Sequence, residues 1–81
     1  QELAELKVEG SSGGGMVTIE LDGHKNIISL RIDPEVVNPQ EVEMLQDLII
    51  AAYSEAAARV NETIAEKLRG LGPGFNLPGL F

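Results

Sequence analysis

Apolar residues occupy every second position in three stretches of the N-terminal half of the chain. They are Leu6 and Val8, then Val17, Ile19 and Leu21, and then Ile28, Leu30 and Ile32. A period of two is typical of β-strands. Because the positions between them are mostly polar or charged, an antiparallel sheet of these strands has one apolar and one hydrated face. The pattern predicts a three-stranded sheet within residues 8–33 whose apolar face needs a cover.

Two connections join the predicted strands. Glycine and serine fill residues 10–15, and their conformational freedom predicts a hairpin loop there rather than part of a strand. The second connection contains a two-residue turn, either Asp22-Gly23 or Gly23-His24. Both turns keep the apolar side chains of the second and third strands on the same face of the sheet.

A single helix is predicted from Pro39 to about Arg69. Asn38 can cap its start, Pro39 suits the first helical position, and Glu41 can reach back as in a capping box. No Gly or Pro interrupts the helix, and Gly70 can end it. Apolar residues follow three- and four-residue steps at Val42, Leu45, Ile49, Ala52, Ala56, Val60, Ile64 and Leu68. Sheet and helix together predict an α+β fold.

The predicted helix is about twice as long as the strands. It spans roughly 46 Å, whereas strands of six or seven residues span ~20 to 23 Å. The first half carries bulky side chains and can cover the sheet, so the second half is expected to project. Its partner is either the helix that ends near Lys7 or a symmetry mate in a two-fold dimer. The residues expected at the dimer interface are Ala56, Val60, Ile64 and Leu68.

Length and composition indicate one globular domain. A chain of 81 residues supports a single core, and 43% apolar with 23% charged residues is ordinary for a folded protein. The absence of Cys excludes disulfides and thiolate metal sites, and such a small domain often gains stability from a partner chain. No stretch of the sequence has the length of a membrane span or the pattern of a signal peptide, so we expect a cytosolic protein.

The two ends of the chain differ from its middle. Residues 1–7 are predicted to be the last turns of a helix whose upstream part is missing. Residues 71–81 are rich in Gly and Pro, which forbids regular structure. We expect this tail to be disordered or laid along a surface by its apolar residues, which are Phe75, Leu77, Leu80 and Phe81.

Four segments are specific in their order and spacing, although each is short. They are Val8-Glu9-Gly10-Ser11-Ser12-Gly13-Gly14-Gly15-Met16-Val17, Ile32-Asp33-Pro34-Glu35-Val36-Val37, Glu43-Met44-Leu45-Gln46-Asp47-Leu48-Ile49-Ile50-Ala51-Ala52, and Leu77-Pro78-Gly79 followed by Phe81. From about residue 8 to residue 81 the chain resembles the YbaB/EbfC family of bacterial nucleoid-associated proteins. The resemblance implies the order helix, three strands, helix, and a tweezer-like homodimer whose projecting helices bind DNA in the nucleoid.

The net charge of −7 is an objection to this function, because the summed field of the chain repels phosphate. An alternative is a non-enzymatic protein-interaction or scaffold module that uses the helix tips and the apolar tail. The acidic balance and the Leu- and Phe-rich tail favour this alternative.

A few basic residues are the candidate phosphate contacts. They are Arg59, Lys67 and Arg69 in the projecting half of the helix, with Lys7 before the first strand. A dimer contains these three helix residues twice. If all six neutralise phosphates, the slope of log affinity against log salt is near −5. Such contacts position a protein without reading bases, so we expect weak or shape-based sequence preference. The alternative is pairing on a solvated helix face with the acidic residues Glu55, Glu62 or Glu66.

Other candidate sites have simpler structural explanations. The Gly13-Gly14-Gly15 run leads into a strand rather than a helix, so it suits a hairpin loop and not a phosphate-binding loop. His24 is expected at an exposed turn and lacks the further ligands of a metal site. Glu41, Glu43 and Asp47 favour the positive end of the helix dipole. We therefore expect no enzymatic activity, no cofactor and no metal.

Overall fold

The computed structural model describes residues 5–69. Three antiparallel strands, β1 (Val8–Ser12), β2 (Val17–Leu21) and β3 (Ile27–Ile32), form one sheet in the order β1-β2-β3. A single long helix, α1 (Val42–Arg69), packs on this sheet. The α+β fold predicted from the sequence is confirmed.

Strand β1 extends further than predicted, because it contains Gly10, Ser11 and Ser12. In its register Gly10 pairs with Ile19, and Gly10 is buried beneath the helix. A Cβ at this position would lie 2.6 Å from the carbonyl oxygen of Ala52 and 2.7 Å from the Cα of Ala56. Glycine inside a strand often marks the close approach of another backbone. The assignment of residues 10–12 to a loop was therefore wrong, since local flexibility is outweighed by this contact.

The β1–β2 connection is a short 3-10 turn over Gly13–Gly15. All three glycines have positive φ angles, between 61° and 96°. This left-handed backbone is disfavoured for residues with a Cβ, which explains the run of glycines. The structure confirms a hairpin loop at this position.

The β2–β3 hairpin has a three-residue loop rather than either of the two-residue turns predicted. The Lys25 amide donates to the Asp22 carbonyl, and the Asp22 amide donates to the Asn26 carbonyl, each at a distance of 3.0 Å. Lys25 adopts a φ of 67°, which is the left-handed position that closes such loops. The Asp22 carboxylate accepts hydrogen bonds from the amides of His24 and Asn26 at 2.8 and 3.0 Å. The predicted common face is confirmed for Leu30, which pairs with Ile19, but an irregularity next to the turn shifts the register so that Leu21 pairs with Ile27 and not with Ile28.

Helix α1 begins at Val42, three residues later than predicted. The Asn38 side chain accepts from the Gln40 amide at 2.9 Å, as expected for a cap, but the turn it caps is a 3-10 turn over Pro39–Glu41. Within this turn the Glu41 amide donates to the Asn38 carbonyl at 2.9 Å. Short 3-10 turns are frequent at the starts of α-helices. From Val42 the helix is uninterrupted to Arg69, as predicted.

Helix α1 runs antiparallel to β1. The Ser12 hydroxyl donates to the Leu48 carbonyl at 2.5 Å, Ala52 and Ala56 lie against Gly10, and the Arg59 guanidinium reaches the Glu9 carbonyl. The side chains buried between helix and sheet are Val17, Ile19, Leu21, Val36, Ala52, Ala56 and Val60. The core therefore lies between α1, β1 and β2.

The helix does not cover strand β3 on the apolar face of the sheet, although the sequence predicted that this face would be covered. Ile28 and Leu30 each keep 44% of their surface exposed, although Leu30 pairs with the fully buried Ile19. A helix is about 10 Å wide and neighbouring strands are about 4.8 Å apart, so one helix covers about two strands. The Gly10 contact places α1 over β1 and β2, and this leaves β3 open.

The mismatch in length is also present in the structure. The 28 residues of α1 span about 42 Å, whereas strands of 5 or 6 residues span ~17 to 20 Å. Val60 is the last fully buried residue of α1 and Ile64 is the last that packs against the core, so the few residues that follow Ile64 project beyond the sheet. Glu5 is helical and Leu6 and Lys7 are not, so the first helix ends two residues earlier than predicted. Residues 1–4 and the predictions for Gly70 and the tail lie outside the described part.

Substituting Gly10 with Ala should lower the free energy of unfolding by about 3 kcal/mol, because the new methyl group meets helix backbone that cannot move aside. Gly14→Ala is the matched control: nothing lies within 4 Å of the position that its methyl group would take, and only backbone strain of about 1 kcal/mol is expected. Urea denaturation at one protein concentration measures both variants. Equal stability of Gly10→Ala and wild type would show that helix and strand are further apart than described.

Acid should weaken the β2–β3 turn through Asp22. The amide of Asn26, and then that of His24, hold the pKa of this carboxyl below its usual value. A group with a lowered folded-state pKa stabilises the fold fully above its unfolded pKa, and the contribution is lost as the pH falls through the folded pKa. Stability of wild type should therefore fall more steeply below pH 4 than that of Asp22→Asn, as measured by denaturation across pH 2–6. If the plots of stability against pH for wild type and Asp22→Asn were parallel, this role of Asp22 would be excluded.

Candidate nucleic-acid interface

The basic residues of α1 that are predicted to contact phosphate are spread over about 160° around the helix axis. At 100° per residue, Lys67 and Arg69 are each about 80° from Arg59, in opposite directions around the helix. Lys67 and Arg69 belong to the last described turn, beyond the end of the sheet, and both are exposed. Cations are favoured at this end of a helix because the helix dipole is negative there. The projecting tip therefore presents two positive charges to solvent.

These two residues differ from Arg59 in their contacts. Among residues 5–69, neither Lys67 nor Arg69 forms an ion pair. Arg59 instead approaches the Glu55 carboxylate at 4.0 Å and donates to the Glu9 carbonyl at 3.4 Å. For Arg59 the structure thus shows the alternative considered from the sequence, pairing with Glu55 one helical turn away.

Glu55 and Arg59 together occupy the outer edge of β1. Glu55 accepts a hydrogen bond from the Ser11 amide at 2.7 Å, and Arg59 donates to the Glu9 carbonyl two residues earlier. Both backbone groups point away from β2, since groups two residues apart in a strand share an edge. An unpaired strand edge is a site for sheet extension by another chain. These side chains close that edge, a feature that the sequence pattern did not indicate.

Lys7, the fourth predicted phosphate contact, is exposed and directly precedes β1. It therefore lies near the end of the sheet past which α1 projects. Of the remaining basic residues, Lys25 is in the β2–β3 loop at the same end of the sheet, because Val8 pairs with Leu21, and Arg31 on β3 forms an exposed ion pair with Glu9 at 3.4 Å.

The residues predicted for a dimer interface fall into two groups. Ala56 and Val60 have no exposed surface within one chain, because they pack against the sheet. A second chain cannot contact them without displacing β1, so they are removed from the candidate interface. Ile64 and Leu68 lie further along the projecting half and are half-buried. They remain predicted contacts.

A different apolar surface is exposed on the β3 side of the molecule. The Tyr53 hydroxyl donates to the Lys25 carbonyl at 3.3 Å, so this flank of α1 faces the β2–β3 hairpin. Ile50 lies one turn before Tyr53 on that flank and is 62% exposed. We call the surface formed by Ile50, Ile28 and Leu30 the open face. Alternation predicts which side chains share a sheet face, but it does not predict which strand the helix leaves bare.

The other candidate sites hold structural contacts. The His24 backbone amide binds the Asp22 carboxylate, and Gly13–Gly15 forms a hairpin turn. Within residues 5–69 no three His, Asp or Glu side chains gather in a way that could hold a metal ion. No helix in that range is long and apolar enough to span a bilayer.

Comparison with known proteins connects this architecture to a family. The model of the YbaB/EbfC DNA-binding family matches residues 1–75, which confirms the resemblance to this family and includes the first three of the four sequence segments. The chain is 49% identical over 80 residues to a nucleoid-associated protein of Geobacillus sp. strain WCH70, covering 99% of this chain and 74% of that protein. It is 48% identical over 78 residues to the nucleoid-associated protein YaaK of Bacillus subtilis, covering 96% of this chain and 73% of YaaK.

A solved structure shares the fold. The crystal structure of an uncharacterized protein from Helicobacter pylori, HP0035, superimposes with a TM-score of 0.71 at 22% sequence identity. The match covers 85% of this chain and 72% of that one. At this identity the likeness supports the fold alone.

Proposed function

Because the chain belongs to the YbaB/EbfC DNA-binding family, we propose that it is a nucleoid-associated protein that binds chromosomal DNA as a homodimer. The family is described by DNA binding rather than by a catalysed reaction. The observation that carries the proposal is the pair of exposed cations, Lys67 and Arg69, at the tip of a helix that extends past its own sheet. The proposed site of action is the nucleoid, in the cytoplasm.

The acidic balance of the chain is compatible with this binding because of where the charges lie. Glu41, Glu43 and Asp47 are at the opposite end of α1, and the 20 residues between Asp47 and Lys67 correspond to about 30 Å. Salt at physiological concentration screens charges beyond about 8 Å. A phosphate at the tip is therefore influenced mainly by Lys67 and Arg69 and by the two acidic residues of the same segment, Glu62 and Glu66.

The proposed binding is electrostatic and weakly selective. Lys and Arg side chains on a helix tip neutralise phosphates and release counterions, which gives affinity that falls steeply with salt. Backbone contacts of this kind carry no base information, so any sequence preference would come from the shape or stiffness of the duplex. Arg59 and Lys7 are the further proposed contacts.

We propose that the second copy of the chain covers the open face. A two-fold interface places the same patch on both partners, and an apolar patch beside the outer edge of β3 is self-complementary in this way. Pairing through β3 stops at two chains, because Glu55 and Arg59 close the other edge of the sheet. The single chain fully buries few large side chains, namely Ile19, Leu21, Val17 and Val60, so a partner adds core that it lacks.

One observation favours the alternative of a protein-interaction module. Val42 and Met44 at the start of α1 are 50% and 43% exposed, and Val37 nearby is 56% exposed. Exposed apolar residues at a helix tip can hold another protein. In this alternative the chain binds no DNA at low salt, so the DNA titration below decides between the two functions.

Replacing Lys67 and Arg69 with Ala should remove most of the affinity for DNA. A dimer then loses four phosphate contacts, so the slope of log affinity against log salt should become about 3.6 units shallower. Fluorescence anisotropy of a labelled duplex between 50 and 200 mM salt measures the slope. The matched control is Lys25→Ala with Arg31→Ala, which removes one Lys and one Arg that do not belong to α1. If the two double variants lost equal affinity for DNA, the assignment of Lys67 and Arg69 as the main phosphate contacts would be contradicted.

Leu30→Lys should convert the dimer into monomers, because a buried charge would replace an apolar contact on the open face. Ser29→Lys is the control, since Ser29 neighbours Leu30 on β3 but faces the other side of the sheet. Sedimentation at micromolar concentration should give twice the chain mass of 8.7 kDa for wild type and Ser29→Lys, and 8.7 kDa for Leu30→Lys. A wild-type mass of 8.7 kDa would exclude the dimer.

A further inference from the structure

Arg59 occupies a different position from the other basic residues of α1. Its guanidinium is held between the Glu55 carboxylate at 4.0 Å and the Glu9 carbonyl at 3.4 Å. Both distances are long for a strong contact, and the Arg59 side chain keeps 58% of its surface exposed. Exposed pairs of this kind contribute little to stability, so phosphate can replace these partners of Arg59 without disturbing the fold.

Glu55 is held much more firmly than Arg59. It accepts the Ser11 amide hydrogen at 2.7 Å, and a charge-assisted bond to backbone at this distance is among the stronger protein hydrogen bonds. Glu55 therefore stays at the edge of β1 whether or not Arg59 is bound to it. Any phosphate that reaches Arg59 must approach this fixed negative charge.

We propose that Glu55 is a built-in competitor for DNA, which keeps Arg59 on the edge of β1 and releases it when phosphate replaces Glu55 and Glu9 as its partner. The inference rests on the proposed DNA-binding function and concerns the regulation of that site. Lys67 and Arg69 make the first contacts, and Arg59 joins only when the local phosphate density outweighs Glu55. The affinity of the wild-type chain is therefore held below what its basic residues allow.

Glu55→Gln tests the proposal. The amide oxygen of Gln can still accept the Ser11 hydrogen bond, so the edge of β1 stays closed while the competing charge is removed. Release of one Arg59 in each chain of a dimer should steepen the salt slope by up to about 1.8 units. The advantage of the variant over wild type should then grow by about ten-fold between 200 and 50 mM salt. Circular dichroism melting checks that the fold is retained.

Two controls separate this effect from a change in net charge. Glu43→Gln removes the same charge from the far end of α1 and should leave the salt slope unchanged. Glu55→Gln combined with Arg59→Ala should show no steeper slope than Arg59→Ala alone, because the gain acts through Arg59. Equal slopes for Glu55→Gln and Glu43→Gln would overturn the proposal while leaving DNA binding intact.

Arg59→Ala alone supplies a test that does not depend on the folding of Glu55→Gln. If Glu55 restrains Arg59, removing Arg59 makes the salt slope shallower by clearly less than about 1.8 units. A full loss of about 1.8 units would show that Arg59 is already a free contact and would overturn the proposal. Absence of wild-type binding even at 50 mM salt would overturn both this inference and the proposed function.

Discussion

The structure depends on the contact between the backbone of β1 at Gly10 and the backbone of α1 at Ala52 and Ala56. Only a residue without a Cβ lets a strand and a helix approach this closely. The small side chains of the two alanines serve the same purpose on the helix. This contact sets the lateral position of α1, and the remaining features of the molecule follow from that position.

With α1 held over β1 and β2, the two sides of the sheet become different. On one side Glu55 and Arg59 bind the free backbone groups of β1 and close its edge. On the other side the apolar residues of β3 stay exposed, with Ile50 of the helix beside them. The helix also passes the end of the sheet and carries its cations beyond the acidic residues near its start. A closed edge, an open face and a tip that carries two exposed cations thus arise from one placement of one helix.

The sequence predicted the elements well because alternation and three- and four-residue steps follow directly from strand and helix geometry. The sequence-based prediction failed where contacts between the helix and the sheet decide the role of a residue. Gly10 was assigned to a loop because its local flexibility gives no sign of the helix above it. Ala56 and Val60 were assigned to a dimer interface because the second half of the helix is thinner in apolar groups, whereas both residues are fully buried against the sheet of their own chain. The pairing of Arg59 with Glu55 was predicted as an alternative from their spacing. Their hydrogen bonds to the backbone of β1 were not predicted.

Helix α1 covers two strands, and we propose that β3 is thereby left for a second copy of the chain. Nuclear Overhauser effects in a sample mixed from isotope-labelled and unlabelled protein test it most directly, because they separate contacts within a chain from contacts between chains. We predict that the Leu30 methyl groups contact protons of the other chain, while the Ile19 methyl groups contact only their own chain. Leu30 contacts confined to α1 of the same chain would contradict the claim.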